Sequence, residues 1–131
     1  MMFLSSTTHA AEDIKGKRYE IPESGFYNGY TPKDIDIYLN KLEKAVKNDD
    51  VEAVSQLISY PLTFNSIQNS IKIKDKSAFI KIYPRIFNDT VKKAAIEGEV
   101  SEAGYRGLMV DNGTIWFDPK NGIFAINEQT K

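Results

Sequence analysis

Asp111 and Asp118 flank Trp116 in the run Met109-Val-Asp-Asn-Gly-Thr-Ile-Trp-Phe-Asp118. A carboxylate held beside an indole and away from water has its pKa raised and can serve as a general acid or base. Either aspartate could do so in a small cavity, which is the enzyme reading of this chain. Aspartate is also favoured at turn starts, where its carboxylate accepts backbone N–H groups a residue or two ahead. Both positions adjoin turn residues, so the turn reading outweighs the catalytic one.

Little other chemistry is on offer. The chain has one histidine, His9, and no cysteine. Disulfides, thiolate nucleophiles and cysteine zinc sites are excluded, and histidine dyads lack their second member. Asp34 with Asp36, Asp49 with Asp50, and Glu97 with Glu99 read as helix caps and solvated faces rather than metal loops. Ser5, Ser6 and Ser101 have no partner base. Gly104, Gly107 and Gly113 are strand and turn glycines, not a phosphate-binding loop. No catalytic residue, metal ligand or cofactor is nominated.

The elements that position Trp116 can be read from turn chemistry. Asn112-Gly113 is the pair that a two-residue type I′ hairpin turn favours, because both central residues need φ > 0. That turn would set Val110 opposite Ile115, Met109 opposite Trp116 and Leu108 opposite Phe117. One face then carries Leu108, Val110, Ile115 and Phe117 and asks for a helical cover. The other carries Tyr105, Met109, Asp111, Thr114, Trp116 and Asp118. Asp118-Pro-Lys-Asn-Gly122 fits a longer turn, so residues 105–127 form a three-strand meander. Tyr105, Met109, Asp111, Trp116 and Asp118 are the candidate binding residues, since tryptophan, tyrosine and methionine are favoured at interfaces.

Upstream the pattern is helical. Thr31, Pro32 and Asp34 make a capped helix start, with Ile35, Leu39, Leu42 and Val46 as its apolar stripe. Asn48-Asp49-Asp50 breaks this helix and caps a second, with Val51, Val54, Leu57 and Ile58 as its stripe, ending at Tyr60-Pro61. A strand follows from Pro61, another over Ile71–Lys74, then a helix capped by Asp75 that Pro84 kinks or splits. Asn88 or Asp89 restarts helix and Gly98 stops it. The architecture is α+β: an N-terminal helical hairpin and a kinked helix packed on a curved, mainly antiparallel sheet of about four strands that ends in the meander.

The 131 residues suit one core. Residues 19–131 are the expected domain, and 1–18 a loose or signal-derived segment. Residues 19–30 hold Tyr19, Phe26, Tyr27 and Tyr30 in a stretch broken by proline and glycine, expected to lie down on the domain. Seventeen basic against 18 acidic residues argue against nucleic acid as a partner. No run is long enough for a membrane span. Thr8 and Ala10 resemble the small residues of a signal cleavage site, without the charged start or apolar stretch. The expectation is a periplasmic or secreted protein, with a cytoplasmic one as the alternative.

This order of elements, with the run Asn48-Asp-Asp-Val-Glu-Ala-Val-Ser-Gln-Leu-Ile-Ser-Tyr-Pro-Leu62, resembles the nuclear transport factor 2-like, or SnoaL-like, superfamily over roughly 32–127. The resemblance implies helices and a curved sheet around a cone-shaped cavity. It also implies a ligand-binding, protein-binding or accessory role, because the cavity histidines of the dehydratase-like members have no counterpart here. The expected function is a small non-enzymatic domain docking a protein partner or small ligand through the Tyr105, Met109 and Trp116 face. An immunity or inhibitor protein against a toxin or hydrolase is the alternative among binders.

Overall fold

The computed structural model describes residues 13–22, 29–103 and 107–128. Strands β1 (Asp13–Lys15) and β2 (Glu20–Pro22) form an antiparallel pair. Helices α1 (Pro32–Lys47) and α2 (Val51–Ser55) follow, then strands β3 (Ile58–Asn65) and β4 (Ser70–Ile73). Helices α3 (Lys76–Lys81), α4 (Tyr83–Ile86) and α5 (Asp89–Glu97) lead to β5 (Val100–Glu102), β6 (Leu108–Val110), β7 (Ile115–Asp118) and β8 (Gly122–Asn127). Strands β3 to β8 form one sheet of six in the order β4-β3-β8-β7-β6-β5. It is antiparallel except where β3 runs parallel to β8. The fold is α+β with a mainly antiparallel sheet, larger than the four strands the sequence pattern suggested. None of the helices among the described residues is long and apolar enough to cross a membrane.

Local chemistry starts the helices where expected. Thr31 Oγ1 accepts the Asp34 N–H at 3.2 Å while Asp34 Oδ2 accepts the Thr31 N–H at 2.8 Å, a closed capping box. Ile35, Tyr38, Leu39, Leu42, Ala45 and Val46 make the buried stripe of α1. Asp49, at φ 49°, turns the chain out of α1 in the left-handed conformation that short polar residues tolerate. Asp50, Asp75 and Asn88 cap α2, α3 and α5 through their side chains. Pro84 lies in the first turn of α4, and the chain breaks at Ile82 rather than bending smoothly, so the kinked helix is two short ones.

Three expectations are corrected. Helix α2 ends at Ser55, and β3 begins at Ile58, three residues before Pro61. Leu57 and Ile58 therefore belong to a turn and a strand, not to a helical stripe. Pro61 is accommodated because the pairing of β3 with β8 is irregular between Ile58 and Thr63, and β4 pairs only from Leu62 onward. The connection after β6 spans Asp111–Thr114 rather than two residues. Asp111, Asn112 and Gly113 all have positive φ, and the Thr114 N–H returns to the Val110 carbonyl at 3.0 Å. The register outside it is unchanged: Leu108, Met109 and Val110 face Phe117, Trp116 and Ile115. Finally, residues 13–18, expected within a loose segment, are tied into the fold by β1 and by Arg18. The expectations on residues 1–11, Phe26, Tyr27 and Tyr105 lie outside the described residues.

The core sits between the helices and one face of the sheet. Leu62, Leu108, Val110, Ile115 and Phe117 are fully buried there, and Tyr38 stacks on Phe117 with ring centroids 5.0 Å apart. Phe79, Tyr83 and Phe87 pack edge-on and stacked beneath α3 and α4. Removing the Phe117 ring leaves a cavity against Tyr38 that the surroundings can fill only in part. Phe117→Ala is expected to cost about 3–5 kcal/mol in denaturant unfolding; an unchanged midpoint would show that the ring is not in the core. Gly122 and Gly113 both have positive φ, at 108° and 107°. A Cβ on Gly122 would also stand 2.5 Å from the Leu57 carbonyl oxygen, whereas one on Gly113 meets Trp116 Nε1 at 3.4 Å. Gly122→Ala should therefore destabilise more than Gly113→Ala, whose strain alone is on the order of 1–3 kcal/mol.

Candidate functional site

Strand alternation places one continuous row of side chains on the sheet face away from the core. Ser101, Met109, Trp116, Ala125, Thr63 and Lys72 are successive cross-strand partners from β5 to β4. The pairing of β7 with β8 slips between Trp116 and Phe117, so Phe124 is the extra residue beside this row. Its ring meets the indole edge-on at 6.4 Å. Met109, Trp116 and Phe124 are all half-buried, which makes the middle of this face apolar and its ends polar.

The turn holds the indole. Trp116 Nε1 donates to the Gly113 carbonyl at 3.1 Å, and the same carbonyl accepts from Asn127 Nδ2 at 2.7 Å. Asn127 Oδ1 in turn accepts from Asn65 Nδ2 at 2.7 Å. Two amides and a carbonyl thus fix the ring relative to β3, β7 and β8.

The two aspartates do not join Trp116 in an acid–base arrangement. Asp118 Oδ1 accepts the Lys120 N–H at 2.8 Å, and Asn121 Nδ2 donates to its other oxygen at 3.4 Å. That is the turn role. Asp111 is exposed, and its N–H donates to the Glu99 carbonyl at 2.7 Å. It lines a cleft of about 540 Å³ with Asp89, Lys93, Glu97 and Glu99 at the α5 end, not the Trp116 face. Among the described residues no acidic or histidine cluster is arranged to hold a metal ion.

Other polar groups were not legible as a set. Arg18 donates to the last carbonyls of α5: Nη2 to Ala94 at 2.8 Å, Nη1 to Ala95 at 2.9 Å and Nε to Gly98 at 2.9 Å. The guanidinium thereby caps the negative end of the helix dipole. Burial lowers its pKa, offset by the attraction of Glu43 and Glu97. Tyr38 is buried and donates to the Leu57 carbonyl at 2.7 Å, and burial pushes its phenol far above the ordinary value. Lys92 Nζ lies 2.8 Å from Asp49 and, by hydrogen bonding, holds that carboxyl below its ordinary range.

No protein-family model, curated protein or solved structure matches this chain. The reading of its function rests on its own residues.

Burial pushes the phenols of Tyr19, Tyr60 and Tyr83 up to about 12 from 10.0. The folded state therefore favours the neutral phenol. This contribution is complete below pH 10 and is lost as pH rises from 10 towards about 12. Tyrosinate absorbance should rise together with cooperative unfolding in that window. Tyr83→Phe should flatten the loss relative to its own neutral-pH stability. Gradual ionisation near the free-tyrosine value with no unfolding would contradict the burial of these groups.

Proposed function

We propose that this chain is a small, non-enzymatic binding domain that docks a protein partner through the sheet face carrying Met109 and Trp116. The observation that carries this reading is where the two faces put their apolar groups. The face towards the helices is filled by Phe117, Tyr38 and the aliphatic residues around them, so its side chains are occupied in packing. The opposite face presents Met109, Trp116 and Phe124, half-buried in mid-sheet, between polar ends at Ser101 and Lys72. An adaptable thioether beside two aromatics, ringed by polar groups, is the composition that interface cores favour.

The turn role of Asp118 and the position of Asp111 at the α5 end weigh against the cavity-enzyme alternative. Helices followed by a strand pair, a split helix and a meander are also the order on which the nuclear transport factor 2-like resemblance rests. Membership of that superfamily, an immunity or inhibitor role, and export to the periplasm or medium belong to the same proposal.

Trp116 is the sole tryptophan and reports on this face without a label. A bead-bound wild-type chain should retain a partner from the native host's lysate that the Trp116→Ala and Met109→Ala proteins do not. Adding the recovered partner should shift the tryptophan emission to the blue. Equal retention by both folded variants, with emission unchanged, would rule this face out.

A further inference from the structure

The six-stranded sheet has two edges, and among the described residues only one is covered. At the β5 edge the Val100 N–H donates to the Arg18 carbonyl at 2.8 Å, and Tyr19 bridges Val100 in parallel. At the other edge β4 pairs with β3 alone. The ladder fixes which way the β4 backbone points. The Ser66 N–H donates to the Asn69 carbonyl at 2.8 Å, so these two residues are a hydrogen-bonded pair. In an antiparallel ladder such pairs alternate with pairs whose backbone groups point apart. In the observed register Asn65 with Ser70, and Thr63 with Lys72, are the pairs that point apart. The Asn65 carbonyl agrees, because it accepts the Glu128 N–H at 2.8 Å from the β8 side. Ser70 and Lys72 therefore turn their N–H and C=O groups to the open edge.

The side chains of that edge differ by face. Ile73 is buried on the core face, while Ile71 on the same face is 39% exposed. Ser70 and Lys72 lie on the opposite face, next to Asn65 and Thr63. None of β3, β4 and β8 contains an aspartate or glutamate. Lys72 and the following Lys74 are exposed, and neither forms an ion pair among the described residues. The carboxylates beyond the strand are engaged. Asp75 accepts the Ala78 N–H at 2.9 Å, and Glu52 is paired with Lys76.

We infer that the outer edge of β4 pairs with an extended segment of a partner protein that alternates carboxylate and aliphatic side chains. Its backbone would bond to Ser70 and Lys72, as in strand addition to an open sheet edge. Its carboxylates would stand beside Lys72 and Lys74, and its aliphatic residues beside Ile71. A second copy of this chain is the poorer occupant. Antiparallel pairing of Lys72 with Ser70 or Lys72 of the other copy sets the two Lys72 side chains opposite or diagonal on one face, where they repel. Lysine on an edge strand guards it against like strands. The same lysines favour an acidic one. Trp116 lies on β7, separated from β4 by β3 and β8, and takes no part in this pairing.

The test is the binding of short synthetic peptides to the full-length protein, read by fluorescence anisotropy. One peptide alternates glutamate and valine; a second has lysine in place of glutamate. The acidic peptide should bind, and more weakly as salt is raised. N-methylation of every second backbone nitrogen should weaken its binding about ten-fold or more in one phase and much less in the other, because only one row of N–H groups faces β4. Amide exchange at Ser70 and Lys72 should slow on binding, and at Ile71 and Ile73, already bonded to β3, change less. Lys72→Glu combined with Lys74→Glu should reverse the preference in favour of the lysine peptide. The charge-matched pair Lys41→Glu and Lys44→Glu, on α1, should leave it unchanged. Melting curves confirm that each variant folds, and the methylation comparison needs no variant. Failure of both peptides to bind would leave the edge merely guarded and overturn the assignment. Equal binding of acidic and lysine peptides, or equal effects of the two methylation phases, would overturn it too. A dimer in sedimentation that strengthens with salt and is lost in Lys72→Pro would give the edge to a second copy instead.

Discussion

The carbonyl of Leu57 is the point on which the rest of the sheet depends. It accepts the Tyr38 hydroxyl at 2.7 Å and the Ile123 N–H at 2.9 Å. One oxygen thus joins the middle of α1, the turn before β3 and the first residues of β8. The pairing of β3 with β8 begins there, at Ile58 and Ile123, and among the described residues this seam is the one parallel strand pair of the six-stranded sheet. Without it the sheet falls into a separate β5–β8 meander and a two-stranded β3–β4 hairpin, which is marginal on its own. Gly122 follows from the same constraint. Its backbone passes so close to Leu57 that no Cβ fits, and its positive φ would strain one in any case.

This seam explains why part of the fold could be read from sequence and part could not. The helix caps at Thr31, Asp50, Asp75 and Asn88 act within a few residues, and their chemistry is written in those residues. The β6–β7 register survived an error in its own turn. Asn112-Gly113 correctly signals positive φ, and Val110 pairs with Ile115 on the apolar face whether the turn takes the central two of the four residues between them or all four. Longer-range choices left no such trace. Leu57 and Ile58 fit a helical stripe as well as a strand start, and only β8 beside them decides for the strand. Strand β5 is three residues with one fully apolar member, too short to show alternation. Arg18 reaches carbonyls 76 to 80 positions away, which no local pattern announces.

The candidate site divides in the same way. Met109 opposite Trp116 followed from alternation and is present in the structure. Strand alternation places Asp111 on that face only if it is carried one residue past Val110. Past Val110 the chain leaves the strand for three residues of positive φ, so the period of two no longer applies. Phe124 joined the face only through a slip in the β7–β8 pairing, and a bulge is not visible in an apolar run such as Ile123-Phe-Ala-Ile126.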